Sequence, residues 1–260
     1  MADTPMPVLA TISYWQPEDY ARLPSGGIGL INLNDGMIGA TPEQVATYKT
    51  VVNDAVARGV KLLAYVPTGY GERDPAKDNE GGTKGQSIAM IQAQVDAYVA
   101  AFGADHIYGI FYDETSQSCE TAATDYPALG QYVRTKGLQV AAFNPGWVGD
   151  NYCFVRATPR GDMVVLFESD LKTYQTDEAL PKDLVEGQRI AHEQGVLTWT
   201  LVHTAKGAAG LKAALDLIRQ RATDMAYVTD RQDWTIEDTW GAPPSYWAAE
   251  LACLQGGQCP

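Results

Sequence analysis

Eight short apolar runs recur along the 260-residue chain, and their spacing constrains the fold more than any other feature. They are Val8–Tyr14, Ile28–Leu33, Lys61–Val66, Ile107–Tyr112, Gln139–Phe143, Met163–Phe167, Leu197–Val202 and Met225–Val228. Each has the length of a β-strand. Most are apolar throughout instead of alternating, the pattern of strands covered on both faces. Helical patterns separate most of them: Pro42–Arg58, Ile88–Phe102, Tyr126–Lys136, Pro181–Gln194 and Ala208–Arg221. Thr41-Pro42-Glu43 supplies an N-cap, a first-turn proline and an acidic first turn. Arg58-Gly59 and Lys136-Gly137 put a basic residue and then glycine at a helix end. The first and fifth connections carry weaker helical signal, and Gly146–Asp162 reads as a loop. Strand and helix alternating eight times predict an α/β fold, a (β/α)8 TIM-type barrel. With no compositional break, residues 1–260 read as one domain, with a C-terminal tail at about 236–260. The competing open, doubly wound sheet lacks its signature. Gly27-Ile28-Gly29 has Asn32 where a third glycine would stand, and it opens a strand instead of a helix. No P-loop occurs.

The net charge of −13 argues against nucleic acid as a partner and suits a cationic or neutral substrate. No apolar run approaches the roughly 20 residues of a membrane helix. The four cysteines form no CxxC pair and have no histidine at ligand spacing, so no metal site and no cofactor is expected. Two disulfides are expected, Cys119–Cys153 after neighbouring strands and Cys253–Cys259 across a short glycine-containing tail; four free thiols are the alternative. Such bridges imply an oxidising compartment, so a secreted or periplasmic monomer is expected. Met-Ala-Asp-Thr-Pro lacks the basic and apolar parts of a signal peptide, which fits a leader removed and a start methionine added.

In a barrel of this kind the active site lies at the C-terminal ends of the strands. There the sequence places Tyr14, Asn32, Tyr65, Tyr70, Asp113, Glu114, Asn144, Glu168, His203 and Asp230. Asp35, Arg73 and Asp170 stand nearby. This set is acidic, aromatic and rich in amides. Aromatic faces stack on sugar rings, while carboxylates and amides bond hydroxyls, so a polysaccharide is the expected substrate. No G-x-S-x-G elbow supports a serine hydrolase. The doublet Asp113-Glu114 ends an apolar strand, where adjacent carboxylates repel and are costly for stability alone. Alternation puts Asp113 in phase with Phe111 and Gly109, and Glu168 in phase with Leu166 and Val164. With both sets inward, Asp113 and Glu168 face each other across the mouth. Leu166 and Phe167 are expected to supply the apolar surroundings that raise the Glu168 pKa. Glu114 is expected to orient rather than react. Long loop 67–86 reads as a lid or binding wall.

The segments Ala64-Tyr65-Val66-Pro67-Thr68-Gly69-Tyr70-Gly71, Gly109-Ile110-Phe111-Tyr112-Asp113-Glu114, Phe143-Asn144-Pro145-Gly146, Phe167-Glu168 and Tyr227-Val228-Thr229-Asp230 resemble the spherulin-type (spherulation-specific) family. The resemblance runs from the first strand to the last. It implies a (β/α)8 barrel, secretion and metal-free endo-hydrolysis of an exopolysaccharide containing α-1,4-linked N-acetylgalactosamine. Carried over from that family, Asp113, Glu114 and Glu168 are catalytic. Where the family often has Asn-Pro after the second strand, this chain has Asn32-Leu33-Asn34-Asp35. The expected mechanism is retaining, with Asp113 as nucleophile and Glu168 as acid and base. The alternative expectation is a glycan-binding or structural barrel without catalysis.

Overall fold

The computed structural model describes residues 6–12, 14–79, 81–148, 151–176, 180–232, 239–256 and 259. Eight parallel strands form one sheet: β1 (Val8–Leu9), β2 (Ile28–Ile31), β3 (Lys61–Pro67), β4 (Gly109–Asp113), β5 (Val140–Phe143), β6 (Met163–Asp170), β7 (Leu197–His203) and β8 (Met225–Val228). Their order is β1-β8-β7-β6-β5-β4-β3-β2. The two ends meet through a parallel bridge between Ala10 and Ile28, where Thr11 N donates to Ile28 O at 3.0 Å. The sheet is therefore a nearly closed (β/α)8 barrel. Its first strand is shorter than Val8–Tyr14, and its sixth runs past Phe167 to include Glu168 and Asp170.

The helices α1 (Pro42–Ala57), α2 (Ile88–Phe102), α3 (Cys119–Thr135), α4 (Cys153–Ala157), α5 (Leu171–Thr176), α6 (Leu180–Gln194), α7 (Gly207–Gln220) and α8 (Trp247–Leu254) lie between and after the strands. Thr41 closes a reciprocal capping box with Gln44 at the start of α1. The third helix begins at Cys119, seven residues before the expected Tyr126, and runs through Pro127. Its early turns are polar, so the apolar period showed only its later half. The fifth connection, expected as a loop, carries the short α4. Within the expected tail, Trp247 and Cys253 of α8 are buried, and Glu250 Oε1 accepts Val228 N at 2.8 Å.

Aromatic side chains fill the barrel beneath its mouth. Phe111 meets Trp199 edge-on at 5.3 Å and stacks on Tyr65 at 6.3 Å. Trp199 Nε1 donates to Ala10 O at 3.0 Å, so Trp199 is a core residue. Gly109 starts β4 where any Cβ would overlap the Val140 carbonyl of β5. Two disulfides join Cys119 to Cys153 and Cys253 to Cys259. They are compatible with an extracellular location. Among the described residues no helix is long and apolar enough to cross a membrane.

Candidate active site

At the mouth, a cleft of ≈ 770 Å³ is lined by Tyr14, Asn32, Tyr65, Tyr70, Asp113, Glu114, Asn144, Glu168 and His203, nine of the ten positions singled out above. The tenth, Asp230, does not line it. Its carboxylate accepts from Ser245 N and Oγ, which ties the segment after β8 to the start of α8. Asp230 therefore has a structural task that a strand-end position alone did not distinguish.

Asp113 enters the cleft as the last residue of β4, in register with Pro67 of β3, whose inward neighbour is Tyr65. Glu168 arrives by a different route from simple alternation. Strand β6 carries a bulge between Val165 and Phe167: Val165 pairs with Trp199, yet Phe167 pairs with Thr200 and Glu168 with Leu201. Paired residues of parallel strands share a face, so Val165 and Glu168 turn inward with Trp199 and Leu201. Val164 pairs with Phe143, which stacks on Tyr126 of the outer α3. Leu166 faces Gly187 of α6, and Phe167 packs on Tyr174 of α5. The expected phase of β6 is thus corrected. Val164, Leu166 and Phe167 face the helices, and the extra residue at the bulge turns Glu168 back to the mouth. Leu166 and Phe167 are not its surroundings.

Asn144, just after β5, joins the two carboxylates. Its Nδ2 donates to Asp113 Oδ1 at 2.7 Å and to Glu168 Oε2 at 2.6 Å. Its Oδ1 accepts Gly146 N at 2.9 Å, which fixes the amide's orientation. Two oxygens sharing one nitrogen lie at most about 5.3 Å apart, the sum of those two bonds. Tyr65 Oη donates to Asp113 Oδ2 at 2.9 Å. Burial pushes the Asp113 carboxyl up to about 6, opposed by donors from Tyr65, the Glu114 amide and Asn144. Burial and then the Asp113 charge push Glu168 up to about 7, opposed only by donors from Asn144 and Trp240. Asp113 has the richer set of donors, which favours its ionised form over that of Glu168.

Glu114 adopts φ 54°, a left-handed conformation that is costly for a residue with a side chain. Tyr70 N donates to its carbonyl at 2.6 Å, and the Thr68 hydroxyl lies 2.9 Å from the carbonyls of both Asp113 and Glu114. The chain thus turns between the two acids. Burial, then the Asp113 charge, raises Glu114 to about 7, and the Gly69 amide partly offsets this. The 67–86 loop is a fixed wall: Arg73 pairs with Asp125 of α3 and donates to the Thr68 and Gln86 carbonyls, while Gly81 and Thr83 line the cleft. Among the described residues, no group of His, Cys, Asp and Glu is placed to hold a metal ion.

A sequence model of the spherulation-specific family 4 matches residues 27–254. The chain belongs to that family. Spherulin-4 from Physarum polycephalum is 28% identical over 120 residues, which is 46% of this chain and 31% of that protein. The chain thus matches under a third of that relative's length. Solved structures give the family 4 chain a fold shared with glycoside hydrolases. An endo-β-1,4-mannanase from Cellulomonas fimi superposes with TM-score 0.54 at 15% identity, over 92% of this chain and 64% of that one. A broad-specificity endoglucanase from Clostridium longisporum gives 0.53 at 10%, over 96% and 95%. An O-GlcNAc hydrolase from Thermobaculum terrenum gives 0.54 at 9%, over 97% and 63%. Likeness at such identity establishes the barrel alone.

Sequence reasoning missed Trp240 in this family 4 protein. Its indole donates to Glu168, and its ring meets His203 edge-on at 5.9 Å. The residue falls in the stretch read as a tail, where no periodic pattern flagged it. An unexpected Trp-Gly pair twelve residues after β8 was the available signal.

Proposed function

We propose that this protein is a secreted, endo-acting, retaining glycoside hydrolase of exopolysaccharide built from α-1,4-linked N-acetylgalactosamine and galactosamine. One observation supports the retaining assignment: Asn144 holds the nearest oxygens of Asp113 and Glu168 no more than about 5.3 Å apart, a closeness that fits the ~5–5.5 Å of retaining enzymes better than the ~6.5–9.5 Å of inverting ones. That separation also supports an enzyme over a structural wall protein, which needs no converging carboxylates. The family membership and the barrel shared with hydrolases support the same direction.

In this mechanism Glu168 protonates the departing glycosidic oxygen while ionised Asp113 attacks the anomeric carbon. The C–O bond to the leaving sugar breaks and a glycosyl–Asp113 ester forms. Glu168, now a carboxylate, takes a proton from water as that water displaces Asp113. In an α-galactosaminide the 2-acetamido group lies cis to the departing oxygen. It cannot displace that oxygen from behind, so retention of configuration calls for an enzymic nucleophile. Glu114 holds Asp113 or a substrate hydroxyl, and Tyr14, Asn32, Tyr70 and His203 contact the glycan. The acidic cleft favours a partly deacetylated, cationic chain over a neutral one. The barrel acts as one monomeric domain spanning residues 1–260.

The test is reducing-end release from a panel of polysaccharides, including α-1,4-galactosaminan before and after deacetylation. Release from the galactosaminan, lost in Asp113→Asn and Glu168→Gln, is expected. Near wild-type turnover in either variant would sink the assignment. Products whose anomeric signal is first β would show inversion and remove Asp113 as nucleophile.

A further inference from the structure

A second cavity of ≈ 770 Å³ adjoins the catalytic cleft and shares Tyr14, Asn32 and Asp35 with it as a common wall. We infer that this chamber is a distal glycan subsite, which holds sugar units of the same chain whose scissile bond lies between Asp113 and Glu168. The inference rests on the function proposed above and adds where the polymer runs.

Three observations carry it. First, the chamber offers uncommitted polar groups. The side chains of Gln16, Glu43 and Thr47 line it, and none of them hydrogen-bonds another described residue. They stand beside the part-exposed Tyr14, so the lining pairs an aromatic side chain with donors and acceptors, as a hydroxyl-rich ligand needs. Second, the shared wall carries a left-handed turn. Asp35 adopts φ 49°, and Asn32 Oδ1 accepts Gly36 N at 2.8 Å to hold that turn. The turn presents Asp35 to both cavities. Third, the topology gives the path a direction. The chamber lies over β1, β2 and α1, and in an eight-stranded barrel β5 and β6 stand opposite β1 and β2. On that far side Pro145 and Gly146 line the cleft and lead to Trp147, which is 47% exposed. The chain thus crosses the mouth, passes the carboxylate pair and enters the chamber. A cleft built for one terminal sugar has no use for a second volume of equal size.

Thr47 is exposed on α1 and outside the catalytic cleft, so Thr47→Trp fills the chamber without touching the reacting groups. The probes are α-1,4-linked galactosamine oligosaccharides of defined length. For the longest, KM is expected to rise at least fivefold and the product lengths to shift. For the shortest oligosaccharide that the wild type cleaves, kcat and KM stay within twofold. Gln16→Ala serves as a second, smaller perturbation with the same direction, and thermal melts check that both variants fold. Unchanged KM and product lengths in both variants overturn the chamber alone. Failure of the wild type to cleave any of these oligosaccharides overturns the parent function and the subsite together.

Discussion

Replacing Glu168 with glutamine should make the protein relatively more stable as pH rises, and the structure sets the size of the effect. Burial and the Asp113 charge hold the folded Glu168 carboxyl at about 7, against about 4.3 in an unfolded chain. Below both values the group is protonated in both states and contributes nothing. Between them the folded protein keeps a proton that the unfolded chain has released, so stability falls with rising pH. From pH 5 to pH 8 that loss is about 3 kcal/mol, at ~1.36 kcal/mol per unit over two units. Glutamine does not titrate, so Glu168→Gln escapes the loss. Asp113 ionises in both proteins and cancels to first order. The substitution has its own cost. Asn144 and Trp240 both donate to Glu168, and one amide oxygen replaces two carboxylate oxygens. An unpaired buried donor costs about 1–3 kcal/mol, but it does so at either pH. The quantity to measure is therefore a double difference: variant minus wild type, pH 8 minus pH 5, from urea unfolding with unchanged m-values. About 3 kcal/mol in favour of the variant is expected, or a relative Tm gain of about 5–10 °C for a chain of this size. A double difference below about 0.5 kcal/mol, or one of opposite sign, refutes the raised pKa and with it the role of Glu168 as the resting acid.

For catalysis, kcat/KM should be bell-shaped, rising as Asp113 ionises at about 6 and falling as Glu168 loses its proton at about 7. Tyr65→Phe removes a donor that lowers the Asp113 pKa, so the acid limb should move up; a downward or absent shift contradicts the bond's assigned effect. Asn144→Ala frees both carboxylates from their common nitrogen and should lower kcat about 100-fold with a smaller change in KM, since misplacement of about 1 Å can have that effect. Removing the Cys119–Cys153 bridge, whose cysteines are 34 residues apart, should cost about 3–4 kcal/mol in denaturant unfolding. The folded fraction should retain its kcat.

The barrel was legible because its strands are buried on both faces and its helices carry caps, so local pattern and global fold agree. The site was legible in outline for the same reason: strand ends give candidate residues before any side chain is placed. Reach across space was not. Asn144 reads as a turn residue before Pro145-Gly146, and its Oδ1 does shape that turn. Only the tertiary structure shows that the other end of the same amide spans two strands' acids. Asp230 and Trp240 lie after β8, where no periodicity survives, so neither the Ser245 contact of Asp230 nor the reach of Trp240 back to Glu168 and His203 showed in the sequence.

The bulge in β6 shows how a correct residue can be reached by an incorrect route. Alternation from Val164 through Leu166 puts Glu168 on their face, and that face packs on the helices. Without the extra residue at the bulge, Glu168 would point into the helix layer and the cleft would keep Asp113 alone. A carboxylate facing α5 and α6 would then be buried among apolar groups, at a cost far above that of the bulge. The fold therefore accepts irregularity at three successive steps around the cleft: left-handed Asp35 after β2, left-handed Glu114 after β4 and the displaced register of β6. Each step re-aims a carboxylate toward the mouth. The acids that meet at the cleft are brought together by departures from the pattern that makes the barrel readable.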